Sequence, residues 1–509
     1  MLGTPGVRRE ARTGSSVSLA DRTHLHIRVT SAGLKQVDVA AWRYSDVYDL
    51  VVRNGLVVSP EGSRRADIAI LDGCVAAAGT VTGRARRTVD ATGLHVLPGG
   101  VEPHMHVENE FLGLSTANDF YTQSIAAAFG GTTTLFDFAN TPRGGSLVES
   151  LERRREQMGK SALDYAVHGR VLEAAHLTEL ADAVRAGCPS FKVYTTYPEV
   201  GLMVDDATLL AAFDRAAACG ALPLVHAESD PIAAFLTEQA RREGDLSWSR
   251  YPDVKPPACE AEAFERVVQY ARVTNCPLYV VHTTVAGAVD SARRARAAGQ
   301  RLLVETCPQY LVLDRSLYDD PDRGHLAVCS PPLRRPSEAG ALWQGLADGT
   351  ITVIGSDDCA YTRSAKEALL ERDGDGRLVP DFTRVVQGVP GIETRLPLLL
   401  SEGVSRGRLT IEQVAALTSA NPARYLGLYP RKGAVRPGAD ADLVLVDLAA
   451  EWVLSASVLH TPLEDCLYED LRVRGRPVMT IAGGRVVMED GIFTGERGRG
   501  RFLARGRGG

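Results

Sequence analysis

The stretch GLHVLPGGVEPHMHV, residues 93–107, marks the point where the pattern of the chain changes. Before it, strand-like segments are joined at Asn54-Gly55 and Asp72-Gly73, dipeptides that favour tight hairpin turns. After it, short apolar runs such as GTTTLFDFA and ITVIGSDD alternate with helical stretches rich in Ala, Arg and Glu. Strands alternating with helices predict βα units and a parallel sheet. Eight such units would close a (β/α)8 TIM barrel, an α/β fold, over residues 97–429.

Towards its C-terminal end the chain returns to hairpin-like sequence. Residues 430–494 contain KGAVRPGADADLVLVDL and a Gly483-Gly484 turn signal. We therefore predict one small β-sandwich domain, built from residues 47–96 and 430–494 at the two ends of the barrel segment. Residues 1–46 show no sustained period, and residues 495–509, GERGRGRFLARGRGG, are basic and low in complexity. Both are predicted to be disordered.

Composition argues against several classes of partner. The net charge of −6 gives no electrostatic reason to expect nucleic acid or an anionic membrane. No apolar run reaches the roughly 18 residues of a membrane span, and the N-terminus lacks the pattern of a signal peptide. Nine cysteines without a CxxC pair suit a reducing compartment better than a disulfide framework. These features predict a cytoplasmic protein without nucleic acid or membrane partners.

Histidines at the ends of apolar runs predict a metal site. His104 and His106 are two positions apart, so in a strand both imidazoles point to the same side. His226 ends the run LPLV, His282 ends PLYVV, and Asp357 ends ITVIGS. Each would lie at the C-terminal end of a barrel strand, where this fold assembles active sites. The similar pair at residues 24 and 26 lies in polar, aperiodic sequence and is not predicted to bind metal.

Lys192 interrupts the apolar, β-branched run SFKVYTTY, residues 190–197. Four imidazoles and one carboxylate exceed the three protein ligands of a typical catalytic zinc, yet are too few for two ions unless something bridges them. A neutral lysine amine can react with CO₂ to form a carbamate, which is a carboxylate with two oxygens, and burial favours the neutral amine. The alternative is a lysine that reaches out from a strand end or pairs with an acid.

The chain from about residue 47 to 490 resembles the cyclic amidohydrolases, specifically the dihydropyrimidinases and D-hydantoinases of the amidohydrolase superfamily. The segments that carry the resemblance, in order, are PGGVEPHMH, DFYTQSIAAAFGGTTTLFDFA, SFKVYTTY, VHAES, VVHTT, ETCPQYL, SPPLR, IGSDDC and GVPGIETRLPLLLSEGVSRGRL. The resemblance implies hydrolysis of the ring C–N bond of a dihydropyrimidine or a 5-substituted hydantoin, which yields an N-carbamoyl amino acid. It also implies a homo-oligomer, a tetramer or a dimer.

The resemblance further implies a role for each site residue. His104, His106 and Asp357 would bind one divalent ion, most simply Zn. His226 and His282 would bind a second. A carboxylated Lys192 and a hydroxide would bridge the two ions. Asp357 would also carry the proton from the hydroxide to the leaving nitrogen, while Tyr197 would donate a hydrogen bond to the developing oxyanion.

Substrate contacts are expected at Ser330 and Gln387, the latter where the family more often has Asn. Asp358 also departs from the family, since many relatives have His there. Residues 107–116 would form a loop over the pocket, and three apolar side chains of this loop would either form a wall for a ring substituent or simply pack the loop. They are Phe111, Leu112 and Leu114.

Other functions remain open at this point. The same site would also suit another cyclic amide or imide, as in a specialised pathway or an allantoinase-like enzyme. Dihydroorotase-like enzymes need a cation for the substrate carboxylate, commonly an Arg soon after His-x-His, and this region offers only Val107, Glu108, Asn109 and Glu110. A non-catalytic scaffold would have lost its metal ligands, whereas here all six positions are filled.

Overall fold

The computed structural model describes residues 47–506. Residues 1–46, with the His pair at 24 and 26, and residues 507–509 lie outside the described residues. The predictions of disorder for these two segments therefore stay predictions. Within the described part, no helix is both long and apolar enough to cross a bilayer.

Nineteen strands make up the two main sheets and one small hairpin of this part of the chain. In chain order they are β1 Val47–Ser59, β2 Gly62–Leu71, β3 Cys74–Gly79, β4 Arg84–Asp90, β5 His95–Pro98, β6 Gly100–Met105, β7 Glu110–Phe111, β8 Leu114–Ser115, β9 Thr132–Phe138, β10 Asp164–Arg170, β11 Ser190–Tyr194, β12 Leu222–His226, β13 Leu278–Val280, β14 Leu302–Thr306, β15 Val353–Ile354, β16 Leu443–Val453, β17 Arg472–Ala482, β18 Arg485–Glu489 and β19 Ile492–Phe493.

Helices connect the barrel strands and cover them. The α-helices are α1 Phe120–Phe129, α2 Leu147–Met158, α3 Leu180–Arg185, α4 Asp206–Cys219, α5 Asp230–Glu243, α6 Tyr251–Val254, α7 Pro257–Val273, α8 Ala286–Ala297, α9 Pro308–Val312, α10 Pro336–Ala347, α11 Arg363–Glu367, α12 Arg395–Leu398, α13 Ile411–Ala415 and α14 Asn421–Tyr425. Two π-helical segments span Leu399–Ser405 and Ala416–Ala420. Short 3-10 turns span Ala174–Glu179, Pro198–Val200, Trp248–Arg250, Arg315–Asp319, Gly324–Ala327 and Phe382–Arg384.

Eight parallel strands form the barrel, in the order β15-β14-β13-β12-β11-β10-β9-β6. A parallel bridge between Met105 and Asp358, with the hydrogen bond from His106 N to Asp358 O (2.7 Å), joins the first strand to the last. Strands β6, β9, β11 and β12 are buried along their whole length, because the barrel interior covers one face and the helices cover the other. The predicted TIM barrel is confirmed.

The second sheet is built from both ends of the described chain. Its order is β19-β18-β17-β16-β5-β1-β2-β3, with β4 beside β1. The N-terminal and C-terminal parts meet where β5 pairs antiparallel with β16, with Val96 opposite Leu445. The paired strands share an apolar cluster that includes Val52, Ile68 and Ile481. The prediction of a β-sandwich module assembled from both ends is therefore confirmed.

The described part of the basic tail, residues 495–506, packs against the barrel. Leu503 is fully buried, and its N–H donates to Tyr165 O at 2.7 Å, beside strand β10. Arg505 is also buried and donates to Val167 O and to Ser190 Oγ. The prediction of disorder over these residues is wrong. Their arginines, taken for solvated charges, instead satisfy polar groups of the barrel wall, while Leu503 fills the apolar space between.

Candidate active site

The predicted metal ligands converge at the C-terminal end of the barrel. His104 is the last residue but one of β6, and His106 directly follows that strand. Lys192 is the third residue of β11. His226 is the last residue of β12, and His282 and Asp357 follow β13 and β15 within three residues. A cavity of about 530 Å³ opens above them. Its wall includes His106, Lys192, His226, His282 and Asp357, while His104 lies buried beneath it.

Three of these residues form a compact set of ligand atoms. His104 Nε2 lies 3.1 Å from Asp357 Oδ1, and His106 Nε2 lies 3.4 Å from the same oxygen. The ligand atoms of the three all lie within 4.8 Å of one another. Lys192 Nζ is 3.1 Å from His104 Nε2, so the lysine reaches the edge of this group. Nitrogen and oxygen donors at this spacing suit a divalent ion such as zinc.

The other two histidines lie next to this group but are oriented differently. The ring centres of His226 and His282 are 4.5 Å apart, and His282 lies 5.5 Å from His104. His226 Nε2, however, contacts Glu228 Oε2 at 2.7 Å. The structure thus gathers all six residues at one end of the barrel, with facing ligand atoms in the set formed by His104, His106 and Asp357.

Burial determines the charge of this centre. It lowers the pKa of His104 and of His282 well below 6.5, so both rings are neutral and each keeps a lone pair. Burial also lowers the pKa of Lys192 to about 8. Burial acts to raise the pKa of Asp357, but His104, His106 and Lys192 outweigh it and bring the pKa down to about 2. Neutral imidazoles beside a carboxylate are the protonation states that metal binding requires.

The backbone is strained at three site residues. Tyr197, His282 and Asp357 have φ angles of 69°, 39° and 49°, in the left-handed region. Each such residue costs about 1–3 kcal/mol, and strain of this kind persists where the surrounding structure enforces it.

Glu305 supports the centre, although it was not predicted as a site residue. This buried carboxylate, in strand β14, contacts His104 Nδ1 at 2.8 Å and accepts a hydrogen bond from His282 N. Occupation of Nδ1 leaves His104 Nε2 as the atom facing Asp357 and fixes the ring orientation. An acid at the end of the run RLLVET was the available signal.

Polar residues next to His226 form hydrogen bonds around the cavity. Tyr197 donates from its hydroxyl to Gln387 Oε1 at 3.0 Å, so the Gln387 side chain faces the cavity. Ser330 Oγ donates to Glu228 Oε2 at 2.6 Å, and Lys255 Nζ donates to the same oxygen at 2.9 Å. Glu228 and Lys255 were not predicted. Burial raises the pKa of Tyr197 well above 10, so its phenol is a neutral hydrogen-bond donor.

The loop over the cavity forms the β7–β8 hairpin. Phe111 and Leu112 line the cavity, and Leu112 is 51% exposed. Leu114 does not line it, but packs against the cluster of Cys359, Tyr361 and Val386. Phe111 packs against the same cluster while also lining the cavity, and a wall for a ring substituent stays a prediction for Phe111 and Leu112.

Asp358 faces away from the cavity. Its carboxylate accepts hydrogen bonds from Gly391 N (2.8 Å) and Ile392 N (3.0 Å), and it is fully buried. The departure from the family at this position therefore concerns the anchoring of the segment after Gln387 and not a direct contact with substrate.

Comparison with known proteins places this site in a family. A model of the amidohydrolase family matches residues 95–487. The chain belongs to the amidohydrolase family. It is 36% identical to a D-hydantoinase of Ralstonia pickettii over 461 residues, covering 90% of this chain and 99% of the relative. The predicted resemblance is confirmed.

Solved structures agree with that assignment. The dihydropyrimidinase from Brevibacillus agri is 36% identical, with a TM-score of 0.86 over 90% of this chain and 99% of the other. The L-hydantoinase from Arthrobacter aurescens is 32% identical, with a TM-score of 0.82 over 90% of this chain and 100% of the other. A metal-dependent reaction fits both this amidohydrolase fold and the His104–His106–Asp357 group.

Proposed function

We propose that this amidohydrolase hydrolyses the ring C–N bond of a cyclic amide or ureide, a dihydropyrimidine or a 5-substituted hydantoin, to give an N-carbamoyl amino acid. The observation that carries the proposal is the presence of two features at one cavity. The first is the His104–His106–Asp357 group with Lys192, and the second is the hydrogen-bonded pair Tyr197–Gln387. The names of the relatives, D-hydantoinase and dihydropyrimidinase, support it.

Two divalent metal ions, most simply Zn, are part of this proposal. His104, His106 and Asp357 would hold one, and His226 and His282 the other, with a carboxylated Lys192 between them. The residues fit these ions, because burial lowers the pKa of His104, His226 and His282 and Asp357 supplies an anionic ligand. When bound, two such ions make water a nucleophile at neutral pH and polarise the scissile carbonyl.

The environment of Lys192 favours carboxylation over an ion pair. Its side chain is 1% exposed, and no carboxylate lies within salt-bridge distance of Nζ in residues 47–506. The Phe138 and Tyr194 ring centres lie 5.1 and 5.5 Å from Nζ. A buried ammonium without a counterion is costly, whereas a carbamate would be stabilised by bound cations. The alternative of a lysine paired with an acid finds no support here.

The chain's own residues would carry the proton and the charge. Asp357 would accept a proton from the attacking water and pass it to the ring nitrogen as the C–N bond breaks. The Tyr197 hydroxyl would turn from Gln387 to the oxygen that gains negative charge. Ser330 and Gln387 would orient the –CO–NH–CO– unit of the substrate.

Assembly and location belong to the same proposal. We propose a homo-oligomer, a tetramer or a dimer, on the family resemblance. We propose a cytoplasmic enzyme because the eight buried cysteines of the described chain form no disulfide. The non-catalytic scaffold is not supported, since all six ligand positions are filled and lie together.

A substrate panel tests the function directly. Metal-loaded enzyme is expected to open dihydrouracil or 5-substituted hydantoins to N-carbamoyl amino acids. The reaction is monitored by the loss of ring absorbance and by mass spectrometry. Treatment with a chelator is expected to abolish turnover, and added zinc to restore it. Allantoin and dihydroorotate complete the panel as the alternative substrates. The absence of turnover with every cyclic amide would contradict the proposal.

Tyr197→Phe is expected to lower kcat by about 10²–10³-fold, because the variant loses one preorganised donor to the oxyanion. KM and metal content are expected to change little, since the ring is retained. Tyr361→Phe is the matched control, because Tyr361 lines the same cavity but has no predicted contact with the reacting carbonyl. Equal kcat values for the two variants would remove Tyr197 from the mechanism.

A further inference from the structure

We propose that Arg170 forms an anion-binding subsite in the active-site cavity and that the substrate carries an acidic group on its ring substituent. This inference rests on the proposed function and narrows it to a class of substrate. The acidic group is a carboxylate at the end of a short alkyl arm. It takes no part in the ring opening, and the product is the N-carbamoyl derivative of an acidic amino acid.

Strand pairing brings Arg170 to the reaction centre. It is the last residue of β10, and in the parallel ladder with β11 its Cα partner is Lys192. Paired residues on neighbouring strands project to the same side of the sheet, so the guanidinium extends into the barrel mouth beside the lysine. Arg170 lines the cavity directly. The Tyr194 ring lies next to both side chains, 6.0 Å from Arg170 Cζ and 5.5 Å from Lys192 Nζ.

Arg170 has unused hydrogen-bonding capacity and no counterion in the protein. One of its nitrogens, Nη2, donates to Asn140 Oδ1 at 2.5 Å, and Nε is buried without a hydrogen-bond partner. No carboxylate of the described residues forms an ion pair with it. By contrast, three of the four buried arginines of the described residues each face a carboxylate, and the fourth, Arg505, donates to Val167 O and Ser190 Oγ. The three pairs are Arg154 with Asp137, Arg334 with Glu260 and Arg395 with Glu102.

The acidic residues of the cavity rim do not neutralise Arg170. Glu110 and Glu199 contribute to the wall, but both are exposed to solvent, where their charge is screened. Asp357 is engaged with His104 and His106. The planar guanidinium therefore faces the cavity as a fork of donors, the geometry that matches a carboxylate in a bidentate contact. The residues directly after His-x-His offer no cation for a substrate carboxylate. Arg170, at the end of strand β10, supplies one instead.

A pair of nearly isosteric substrates isolates the charge. 5-(2-Carboxyethyl)hydantoin carries the acid, and 5-(2-carbamoylethyl)hydantoin replaces it by a neutral amide of the same length. Wild-type enzyme is expected to prefer the acid through a lower KM. Arg170→Met is expected to reduce kcat/KM for the acid by about 10- to 100-fold, the range for loss of a hydrogen-bonded charged contact, with the amide little affected. Arg170→Lys is expected to fall between, because it keeps the charge but loses the fork.

Arg153→Met is the matched control, since Arg153 is a half-exposed arginine of helix α2 outside the cavity wall. It removes the same charge and is expected to leave the acid-to-amide ratio unchanged. Metal content is measured for each variant. If Arg170→Met loses metal and both activities together, Arg170 belongs to the metal centre, and the subsite is refuted. An unchanged acid-to-amide ratio in Arg170→Met refutes it equally.

Calorimetric binding of the same two compounds separates this inference from the proposed function. Metal-loaded wild type could turn over neither compound and still bind the acid more tightly than the amide. If Arg170→Met then loses this preference for the acid, the result counts against the function and supports the subsite. Turnover of both with equal binding would support the function and overturn the subsite. Equal or undetectable binding of both compounds overturns the subsite whatever the turnover.

Discussion

Lys192→Ala is expected to lose most of the bound metal and to lower kcat by on the order of 10³-fold or more, because metal ions contribute several kcal/mol to charge stabilisation in such sites. Lys192 Nζ lies 3.1 Å from His104 Nε2, and its side chain is almost fully buried. Alanine leaves four imidazoles and one carboxylate, which is too little negative charge and too few ligands for two ions. Metal analysis by mass spectrometry and steady-state kinetics measure both effects.

Chemical rescue distinguishes loss of a bridging carboxylate from loss of packing. The alanine variant leaves a space at the centre that a short carboxylic acid can enter. Acetate or propionate is expected to restore part of the metal content and of kcat in the variant. Methylammonium at the same concentration, which restores the amine but not the carboxylate, is expected to restore neither. Wild-type metal content in Lys192→Ala would refute the bridging role.

Asp357→Asn is expected to lower kcat by about 10²–10⁴-fold, the usual contribution of a positioned acid–base group, and to weaken metal binding as well. The amide is nearly isosteric with the carboxylate but cannot accept the proton of the attacking water. It also brings an N–H group, rather than a second oxygen, next to the Nε2 atoms of His104 and His106. Single-turnover kinetics at saturating metal separates the loss of proton transfer from the loss of metal.

The neighbouring residue provides the control. Asp358→Asn changes the same functional group one position along the chain, but that carboxylate accepts from Gly391 N and Ile392 N and faces away from the cavity. It is expected to lower thermal stability, because a buried acceptor of two backbone bonds is disturbed, and to affect kcat far less than Asp357→Asn does. Equal effects of the two substitutions on kcat at saturating metal would argue against a proton-carrying role for Asp357.

Strand ends were the informative part of the sequence. His226 and His282 each end or directly follow an apolar run of β-forming residues, and the barrel architecture places all such ends at one face. The predicted ligands could therefore be grouped without knowledge of any distance. Strand β10, DYAVHGR, mixes polar and apolar residues and was not singled out as a run, so Arg170 at its end was missed.

Other misses share a physical cause. Glu305 contacts His104 across 201 residues of sequence, and Glu228 connects His226 with Lys255 and Ser330. The contact of Glu228 with His226 is local, but those of Glu305 with His104 and of Glu228 with Lys255 and Ser330 depend on which segments become neighbours in the closed barrel. The same holds for the tail, where the burial of Arg505 depends on the polar groups that β10 and β11 present at their edge.

The sequence by itself determined the alternation of strands and helices, the two-ended β module, and the positions of His104, His106, Lys192, His226, His282 and Asp357 at strand ends. These features depend on residues that are close together in the chain, through the hydrophobic period and the residues that favour turns. Only the tertiary structure decided which of them face one another, that Glu305 orients His104, and that Arg170 enters the cavity without a counterion. These outcomes depend on strand register and on desolvation in the closed barrel, which arise only when residues distant in the chain meet.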